Sequence, residues 1–554
     1  MEIVPPDRHP GGFDACDTAL VLDGYLRRLA SQESRCRLIL GRLASAFLKR
    51  SGHHELGFAR VGDWARERLG MSAREVQSLA TVSDRLGVLP RLASAFEAGG
   101  LSWAQLRLLV GVADSDTEES WLTVAEGRTV RALETIIREF AGPRATDDEA
   151  EPSAEFRLRC PRRLLALWHE TVELARRMSG AHLAHGDAAE AIAAEGLAAR
   201  PPTDERWPAE TRPATAPADS TETRATFAPD LDWDAVAEAL PDDVDDLADD
   251  ADHLSPFVLD ARLRAMVRVM QRTDWQMGRL LRLFLDRRLF RLMWFPSAER
   301  YLRERLGLSP RKARALVALE RKTWTAPGLA EAYRDGALSW VRAQTLLPVL
   351  TEHTAAAWID RAQSVTVRRL ADEVDWALVV RDGVEPIDPP PAGSSLEPSE
   401  RQMRAPREWE YPDAEIVFRA PVSVVSLFRT AILTFAGRSG GLCQGLEGLL
   451  AHVKGEWETQ PRHRDPIFAR DGWRCAVPVC TSRRALHDHH IVFRSRGGDN
   501  ARDNRVTVCA WHHLRGIHGG RVRASGDAPD GIVWEIGLRP GGGSLLRVDG
   551  ARYV

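Results

Sequence analysis

Residues 475–518 read CAVPVCTSRRALHDHHIVFRSRGGDNARDNRVTVCAWHHLRGIH, and the interpretation of the whole chain starts from this stretch. It contains three of the seven cysteines and six of the sixteen histidines of a 554-residue chain. Thiolate and imidazole are the ligands that zinc prefers, and ligand pairs a few residues apart at each end of a loop typically form a tetrahedral site. The stretch therefore predicts a metal centre.

The order and spacing of these residues resemble the HNH endonuclease family, whose ββα-metal core cuts nucleic acid. The first His, the Asn and the last His of the family pattern correspond to His490, Asn504 and His513, with Gly497-Gly498 between them. The resemblance covers roughly residues 465–520. It implies a metal-dependent endonuclease that hydrolyses DNA phosphodiester bonds, and it leaves RNA open as a substrate.

The resemblance also implies a role for each residue of the catalytic centre. His490 is expected to be the general base and Asn504 to orient it, while His489 and His513 hold a catalytic divalent ion, Mg²⁺ or a transition metal. Adjacent residues of a strand point to opposite faces, so His489 and His490 are expected to have separate tasks.

A third ligand for the catalytic ion is less obvious from the sequence. His518 is the natural candidate, with His487 in reserve. Residues five apart on an α-helix point about 140° away from each other. His513 and His518 can therefore share an ion only if the helix ends or distorts near Gly516, which glycine allows.

The family often adds a structural zinc, and Cys475, Cys480, Cys509 and His512 fit that role. The same region is basic, because residues 461–523 contain thirteen Arg, no Lys, five Asp and no Glu, a net charge of +8. Such a charge suits a polyanionic partner. We expect DNA to be bound by arginines at the site, namely Arg494, Arg496 and Arg515.

The composition is that of an ordinary globular protein, with 44% apolar and 28% charged residues. The first thirty residues have neither a basic start nor an apolar core, and no run approaches the ~20 apolar residues of a membrane span. The cysteine total is odd, which argues against a secreted disulfide framework. We therefore expect a cytoplasmic protein without a membrane partner; the sequence names no protein partner.

An internal duplication is predicted upstream. At a constant offset of 237 residues, segments recur without insertion, among them Leu101-Ser102-Trp103 with Leu338-Ser339-Trp340 and Thr129-Val130-Arg131 with Thr366-Val367-Arg368. Helical periodicity runs through both copies. They resemble the helical module called the thirteen-E-twelve repeat family, which often precedes HNH domains. His53 and His54 lack metal-ligand spacing and are expected to be exposed.

The predicted fold is mostly α, with two copies of a helical module joined by a disordered acidic linker and a small C-terminal α+β domain of the ββα-metal type. The expected boundaries are 1–200 for the first copy, 201–255 for the Pro-rich and acidic linker, 256–385 for the second copy, 386–404 for a Pro-rich linker, 405–458 for a strand–helix appendage, and 459–554 for the nuclease domain with a C-terminal hairpin.

Two other functions remain open from the sequence. A zinc-containing module that binds nucleic acid without cutting it explains the cysteines and arginines, but not His489, His490, Asn504 and His513 in nuclease order. A helical interaction scaffold with a vestigial nuclease domain is the other. Metal-dependent nicking of plasmid DNA separates both from the enzyme.

Overall fold

The computed structural model describes residues 15–140, 151–200, 239–381, 386–396, 413–437, 440–460, 464–550 and 552–554. The chain is mostly helical, with its larger sheet at the C-terminal end. In the described ranges, no helix combines the length and the apolar character needed to cross a membrane.

The first helical interval, residues 15–140, begins with a long helix followed by shorter ones. Its elements are α1 Ala15–Lys49, α2 Gly52–Glu55, α3 Val61–Trp64, a π-helical turn Ala65–Leu69, α4 Ala73–Leu86, α5 Pro90–Glu97, α6 Trp103–Leu109, α7 Glu118–Ala125 and α8 Val130–Phe140. Ser72 and Ser102 each precede a Glu or Gln by three residues, the sequence pattern of a capping box, and their side-chain oxygens cap α4 and α6.

The second helical interval, residues 239–381, has the same order of long and short helices. Its elements are 3₁₀ turns at Asp245–Ala248 and Ala251–His253, α11 Pro256–Asp286, a 3₁₀ turn Leu289–Arg291, α12 Ala298–Arg305, α13 Pro310–Lys322, α14 Leu329–Arg334, α15 Trp340–Leu346, α16 Ala355–Ser364 and α17 Val367–Val380. Between the intervals lie β1 Ser153–Cys160, α9 Arg162–Ser179 and α10 His185–Ala199.

The two long helices run side by side in opposite directions and join the intervals. The first part of α1, including Leu26, packs with Phe284 and Tyr301 of the second interval. The first part of α11, including Leu263, packs into the core of the first interval. Each interval therefore completes the apolar core of the other, and the predicted boundaries at 200 and 256 do not separate independent cores.

Polar contacts between the intervals are reciprocal. The buried Asp23 carboxylate accepts hydrogen bonds from Tyr301 at 3.0 Å and Arg305 at 2.8 Å. The buried Asp260 carboxylate, 237 residues later, accepts them from Trp64 at 2.9 Å and Arg68 at 2.6 Å. Because both carboxylates are buried and paired, either contact is costly to break.

A third core is shared in the same way by residues that follow each interval. Strand β2 (Ala414–Pro421) pairs antiparallel with β1, and Arg157 lies opposite Val417 at the centre of the pairing. Helices α18 (Val422–Ala436) and α19 (Leu442–Glu458) pack with α9 and α10 around Phe156, Trp168 and Phe428. The appendage predicted at 405–458 therefore forms one unit with residues of the first predicted copy.

The acidic linker is a correction to the sequence interpretation, which predicts a disordered segment over 201–255. Residues 239–254 instead pack along α1 and α11, with the Val244 side chain 1% exposed. Arg262 donates hydrogen bonds to the carbonyl oxygens of Leu247 at 3.0 Å and Asp249 at 2.6 Å. Apolar residues between the aspartates supply the contacts. The Pro-rich part, 201–238, lies outside the described residues.

The second Pro-rich linker is also packed where it is described, over 386–396. The Ile387 carbonyl oxygen accepts a hydrogen bond from the Trp358 indole at 2.9 Å, and the Pro390 carbonyl oxygen accepts one from Arg361 at 2.7 Å. This segment is therefore held against α16, and Arg369 of α17 donates to its Ser394 carbonyl oxygen at 3.1 Å. Residues 397–404 of the predicted linker lie outside the described part.

The C-terminal unit carries the site. After α20 (Pro466–Arg470), β3 (Leu486–His490) and β4 (Arg505–Cys509) form an antiparallel pair, with a 3₁₀ turn Arg494–Arg496 between them and a π-helical turn His512–Ile517 after them. Strands β5 Val522–Asp527 and β6 Gly531–Leu538 form a hairpin, and β7 Ser544–Asp549 and β8 Arg552–Tyr553 extend it into a four-stranded sheet.

Candidate metal centres and their surroundings

Four buried side chains form the first cluster. Ligand atoms of Cys475, Cys480, Cys509 and His512 all lie within 4.8 Å of one another. The His512 Nδ1 atom is 3.5 Å from the Cys475 sulfur and 3.3 Å from the Cys509 sulfur. The sequence predicts these four residues as a set, and their donor chemistry fits tetrahedral zinc.

Charge within this cluster is strongly coupled. Burial lowers the pKa of His512, but the Cys475 and Cys509 sulfurs outweigh it and raise that pKa to about 10. Hydrogen bonds with Cys475 and Cys509 raise the pKa of the Cys480 thiol, whereas those with Cys475 and Cys480 lower the pKa of the Cys509 thiol. Each group in this buried donor set therefore responds to its neighbours, and a bound cation would displace the protons that they carry.

The helical body fixes the orientation of His512. Its Nε2 atom is 3.1 Å from the Gly57 carbonyl oxygen, which can only accept a hydrogen bond. Nε2 therefore carries a proton, and Nδ1, which faces the Cys475 and Cys509 sulfurs, is the nitrogen that a metal would bind after displacing the proton held there. Gly57 has a φ of +80°, and a Cβ atom there would lie 2.8 Å from the Gly537 nitrogen. Glycine is thus required for this close approach.

Arg368 of α17 holds the cysteine loop from the other helical interval. Its guanidinium donates to the carbonyl oxygens of Cys475 at 2.8 Å, Val477 at 3.1 Å and Cys480 at 2.6 Å. Burial lowers the Arg368 pKa to about 10, so the group stays charged at neutral pH. The first cluster therefore lies where both helical intervals meet the C-terminal unit.

His53 and His54 are part of this junction, contrary to the expectation that they are exposed. The His53 side chain is buried, and the His54 ring stacks on Trp511 with centroids 5.0 Å apart. Burial lowers the pKa of His53 to about 4, with His54 adding to the effect, so the imidazole is neutral at neutral pH.

A second cluster contains His489, His513 and His518, whose ligand atoms also lie within 4.8 Å of one another. The His489 ring is 3% exposed and its Nε2 atom has no hydrogen-bond partner among the described residues. Burial first, and then the neighbouring histidines, lower the His489 pKa to about 4. A neutral imidazole with an orphaned nitrogen, facing two other histidines, fits a metal ligand.

The π-helical turn explains how His513 and His518 meet. The His518 amide donates to the His513 carbonyl oxygen at 3.1 Å, an i→i+5 hydrogen bond. Residues five apart therefore lie on the same side of the turn, which an α-helix would not allow. The distortion required near Gly516 is present and extends over His512–Ile517.

His487 lies behind the second cluster instead of within it. Strand alternation puts His487 and His489 on one face of β3. The His487 Nδ1 atom is 2.8 Å from the His513 Nδ1 atom. With its Nδ1 engaged there, His513 has Nε2 left for a metal, so His487 can orient a ligand from outside the coordination shell.

His490 lies on the opposite face of β3, and Asn500 holds its ring. The Nε2 atom of His490 is 2.9 Å from the Asn500 Oδ1 atom. An amide oxygen only accepts, so in the neutral imidazole the proton is on Nε2 and Nδ1 carries the lone pair. The expected contact between Asn504 and His490 is replaced by this one.

Asn504 instead clamps the loop that carries the site. Its side chain accepts from the Val492 amide at 2.7 Å and donates to the carbonyl oxygens of Val492 at 3.2 Å and Asp499 at 2.9 Å. A Cβ atom on Gly498 would lie 1.8 Å from the Val492 carbonyl oxygen, so the backbone passes too close for a side chain. Asn504 therefore acts on His490 only through the loop that also contains Asn500.

The three predicted nucleic-acid arginines are exposed around the second cluster. Arg494 and Arg496 lie on the 3₁₀ turn after β3, and Arg496 also lies over the Phe493 ring at 5.2 Å. Arg515 lies on the π-helical turn between His513 and His518. None of the three forms an ion pair within the described residues, so their charge faces solvent.

Asn500 and Arg368 are the residues that sequence reasoning missed. Asn500 is inside the quoted stretch, but the asparagine of the family pattern drew attention to position 504. Arg368 belongs to a repeated Thr-Val-Arg segment whose Thr366 caps α17, and the cap alone explains the pattern. The contacts that Arg368 makes with a distant part of the chain cannot be recognised from the residues around it.

No protein-family model, no curated protein and no solved structure matches this chain. The functional argument therefore rests on the residues and geometry described above.

Proposed function

We propose that the C-terminal unit is a metal-dependent endonuclease of the HNH type that hydrolyses DNA phosphodiester bonds. The observation that carries the proposal is the division of β3, with His489 facing His513 and His518 on one side and His490 held by Asn500 on the other. A ligand set and a general base are thus adjacent but separate.

Hydrolysis of a phosphodiester needs an activated water, an electrophile for the phosphate oxygens and stabilisation of the departing 3′ oxygen. A divalent ion held by His489, His513 and His518 would supply the last two. His490 would supply the first, because its unprotonated Nδ1 can take a proton from water while Asn500 stabilises the resulting imidazolium through Nε2. His487 would orient His513, and Asn504 would hold the loop that carries Asn500.

The first cluster, which we call the four-ligand cluster from here on, has a structural role in this proposal. Its side chains are all buried, and a zinc ion there would have no open coordination position for water. Its place between Gly57 and Arg368 fits an ion that fixes the C-terminal unit to the helical body.

We infer that the helical intervals are two copies of one ancestral unit. The contacts of Asp23 and Asp260 correspond at the offset of 237, as do two glutamates that bind helix N-termini: Glu67 accepts from the Val367 amide at 2.9 Å and Glu304 from the Val130 amide at 2.6 Å. Such reciprocity is the signature of a two-fold interface, here between parts of one chain. The resemblance to the thirteen-E-twelve repeat module belongs to this inference.

Cleavage of supercoiled plasmid by the purified chain tests the function. With Mg²⁺, Mn²⁺ or Co²⁺ added in separate reactions, the parent protein should produce nicked circles, and His513→Ala should not. His182→Ala is the matched control, because His182 is exposed and lies in neither cluster. Absence of nicking with every metal would contradict the proposal and favour the zinc-containing module that binds without cutting.

A further inference from the structure

The loop between α11 and α12 exposes a tryptophan among arginines. The Trp294 side chain is 94% exposed, and its backbone has a φ of +62°. Bulky residues rarely adopt this conformation, and backbone strain concentrates at functional sites. Arg287, Arg288 and Arg291 are exposed in the same loop. We call these four residues the Trp294 surface.

The equivalent loop of the first interval has a positive φ at the same two positions, but it is covered by another part of the chain. Gly57 precedes Trp294 by the constant offset of 237, and Ser51 and Arg288 share a φ of 52° at the start of the two loops. The first loop is covered by the C-terminal unit through His512 and Gly537. A Trp at Gly57 would collide there, so the second loop cannot receive a C-terminal unit in the same way and stays open.

Charge on the Trp294 surface is unbalanced. Within the described part of the chain, none of its three arginines forms an ion pair, whereas Asp286 beside them pairs with Arg321 at 2.6 Å. Positively charged side chains around an exposed aromatic ring suit a partner that has regularly spaced negative charges and flat apolar rings.

We propose that the Trp294 surface binds single-stranded nucleic acid, with an unpaired base stacked on Trp294 and the flanking phosphates held by Arg287, Arg288 and Arg291. Stacking on aromatic rings combined with a basic track is the general way in which proteins bind single strands. The choice of nucleic acid as partner rests on the proposed function; the location of the surface does not.

Binding of a fluorescent oligothymidylate, followed by anisotropy, tests this proposal. All proteins carry His490→Ala so that no strand is cut, and no divalent metal is added beyond the zinc retained on purification. Trp294→Gly should weaken binding about tenfold, because stacking contributes that much per base. Its melting temperature should not fall below the parent's, since glycine accepts the positive φ. Arg288→Glu with Arg291→Glu should weaken binding further.

The control is Phe140→Ala, which removes a 68% exposed aromatic ring from the end of α8 and should leave affinity unchanged. A duplex of the same length should lose little affinity on Trp294→Gly, because its bases are already stacked. Equal affinity of parent and Trp294→Gly for the single strand would overturn the proposal. Weaker binding in the Arg288→Glu, Arg291→Glu variant combined with unchanged binding in Trp294→Gly would likewise overturn it, in favour of phosphate contacts without stacking. Because cleavage is not measured, an inactive nuclease leaves the result intact.

Discussion

At the scale of single residues, two asparagines divide the work around the proposed base. Asn500 contacts the His490 ring at 2.9 Å, whereas Asn504 contacts only the backbone of the loop between β3 and β4. Removing either should affect catalysis, but for different reasons. Asn500 sets the proton position on His490, and Asn504 sets the shape of the loop.

Asn500→Ala should slow cleavage by about 10–100-fold, because an unsupported imidazole samples the wrong tautomer and orientation. The measurement is the rate of plasmid nicking by the parent and the variant, with melting temperature recorded in parallel. A variant that nicks at the parent's rate would remove Asn500 from this role.

The members of the four-residue cluster were predictable from the sequence, whereas hydrogen-bond partners were not. Paired thiols and imidazoles indicate a metal centre in this stretch, and the resemblance to the HNH family implies Cys475, Cys480, Cys509 and His512 as a set before any fold is known. Asn500 and Asn504 have the same side chain and lie in the same loop. Only the path of the backbone, with Gly498 against the Val492 carbonyl oxygen, decides which one reaches His490.

At the scale of elements, α17 is bound to the loop Cys475–Cys480 through Arg368. Arg368→Ala removes three hydrogen bonds to loop carbonyl oxygens and should destabilise the C-terminal unit by about 3 kcal/mol. Arg131→Ala is the matched control, because Arg131 occupies the equivalent position 237 residues earlier and is exposed. Its effect should stay within about 0.5 kcal/mol.

Hydrogen exchange of the backbone amides between Cys475 and Cys480 measures this difference. Faster exchange in Arg368→Ala and unchanged exchange in Arg131→Ala are the expected results. Equal protection in both variants would show that the binding of α17 to this loop does not depend on Arg368.

Zinc in the four-ligand cluster should be required for the C-terminal unit to fold. Structural zinc contributes on the order of 10 kcal/mol to small domains, which exceeds the stability of most of them. Cys480→Ser should therefore lack zinc and lose protection throughout 464–554, while Cys443→Ala, outside the cluster, keeps both. Elemental analysis of folded parent protein without zinc would refute the assignment.

The π-helical turn was predicted from the sequence only in part. Spacing of five between His513 and His518 requires a departure from the α-helix, and that requirement follows from helix geometry alone. Its form, an i→i+5 turn over His512–Ile517, depends on packing against β5 and Gly57 and could not be read from the residues.

At the scale of the whole molecule, the helical intervals exchange their long helices. Periodicity and caps predict most helices, and the offset of 237 predicts that they recur. Nothing in the local sequence predicts this exchange. Leu26 and Leu263 would be buried core positions of a helix whether they packed in their own interval or in the other one. The sequence also did not predict that residues 239–254 are packed. The reason is related, because Val244 and Leu247 contact residues of α1 and α11 that are distant in the sequence.

Nucleic-acid binding at the catalytic face should depend strongly on salt. If Arg494, Arg496 and Arg515 each neutralise one phosphate, the logarithm of the association constant should fall against the logarithm of salt concentration with a slope of about −3. Arg494→Ala should reduce that slope by about 1 and lower affinity for all sequences alike. Duplex binding measured between 50 and 200 mM salt gives the slope, and a slope near zero would contradict phosphate contacts.

The central claim, that this chain cuts DNA with His490 as its base, is tested most directly by a plasmid-nicking time course of parent and His490→Ala purified in parallel. The variant should retain its zinc, melt near the parent temperature and bind DNA, yet nick about 10²–10⁴-fold more slowly, the usual cost of removing a general base. Equal rates for the two proteins would remove His490 from catalysis and contradict the account.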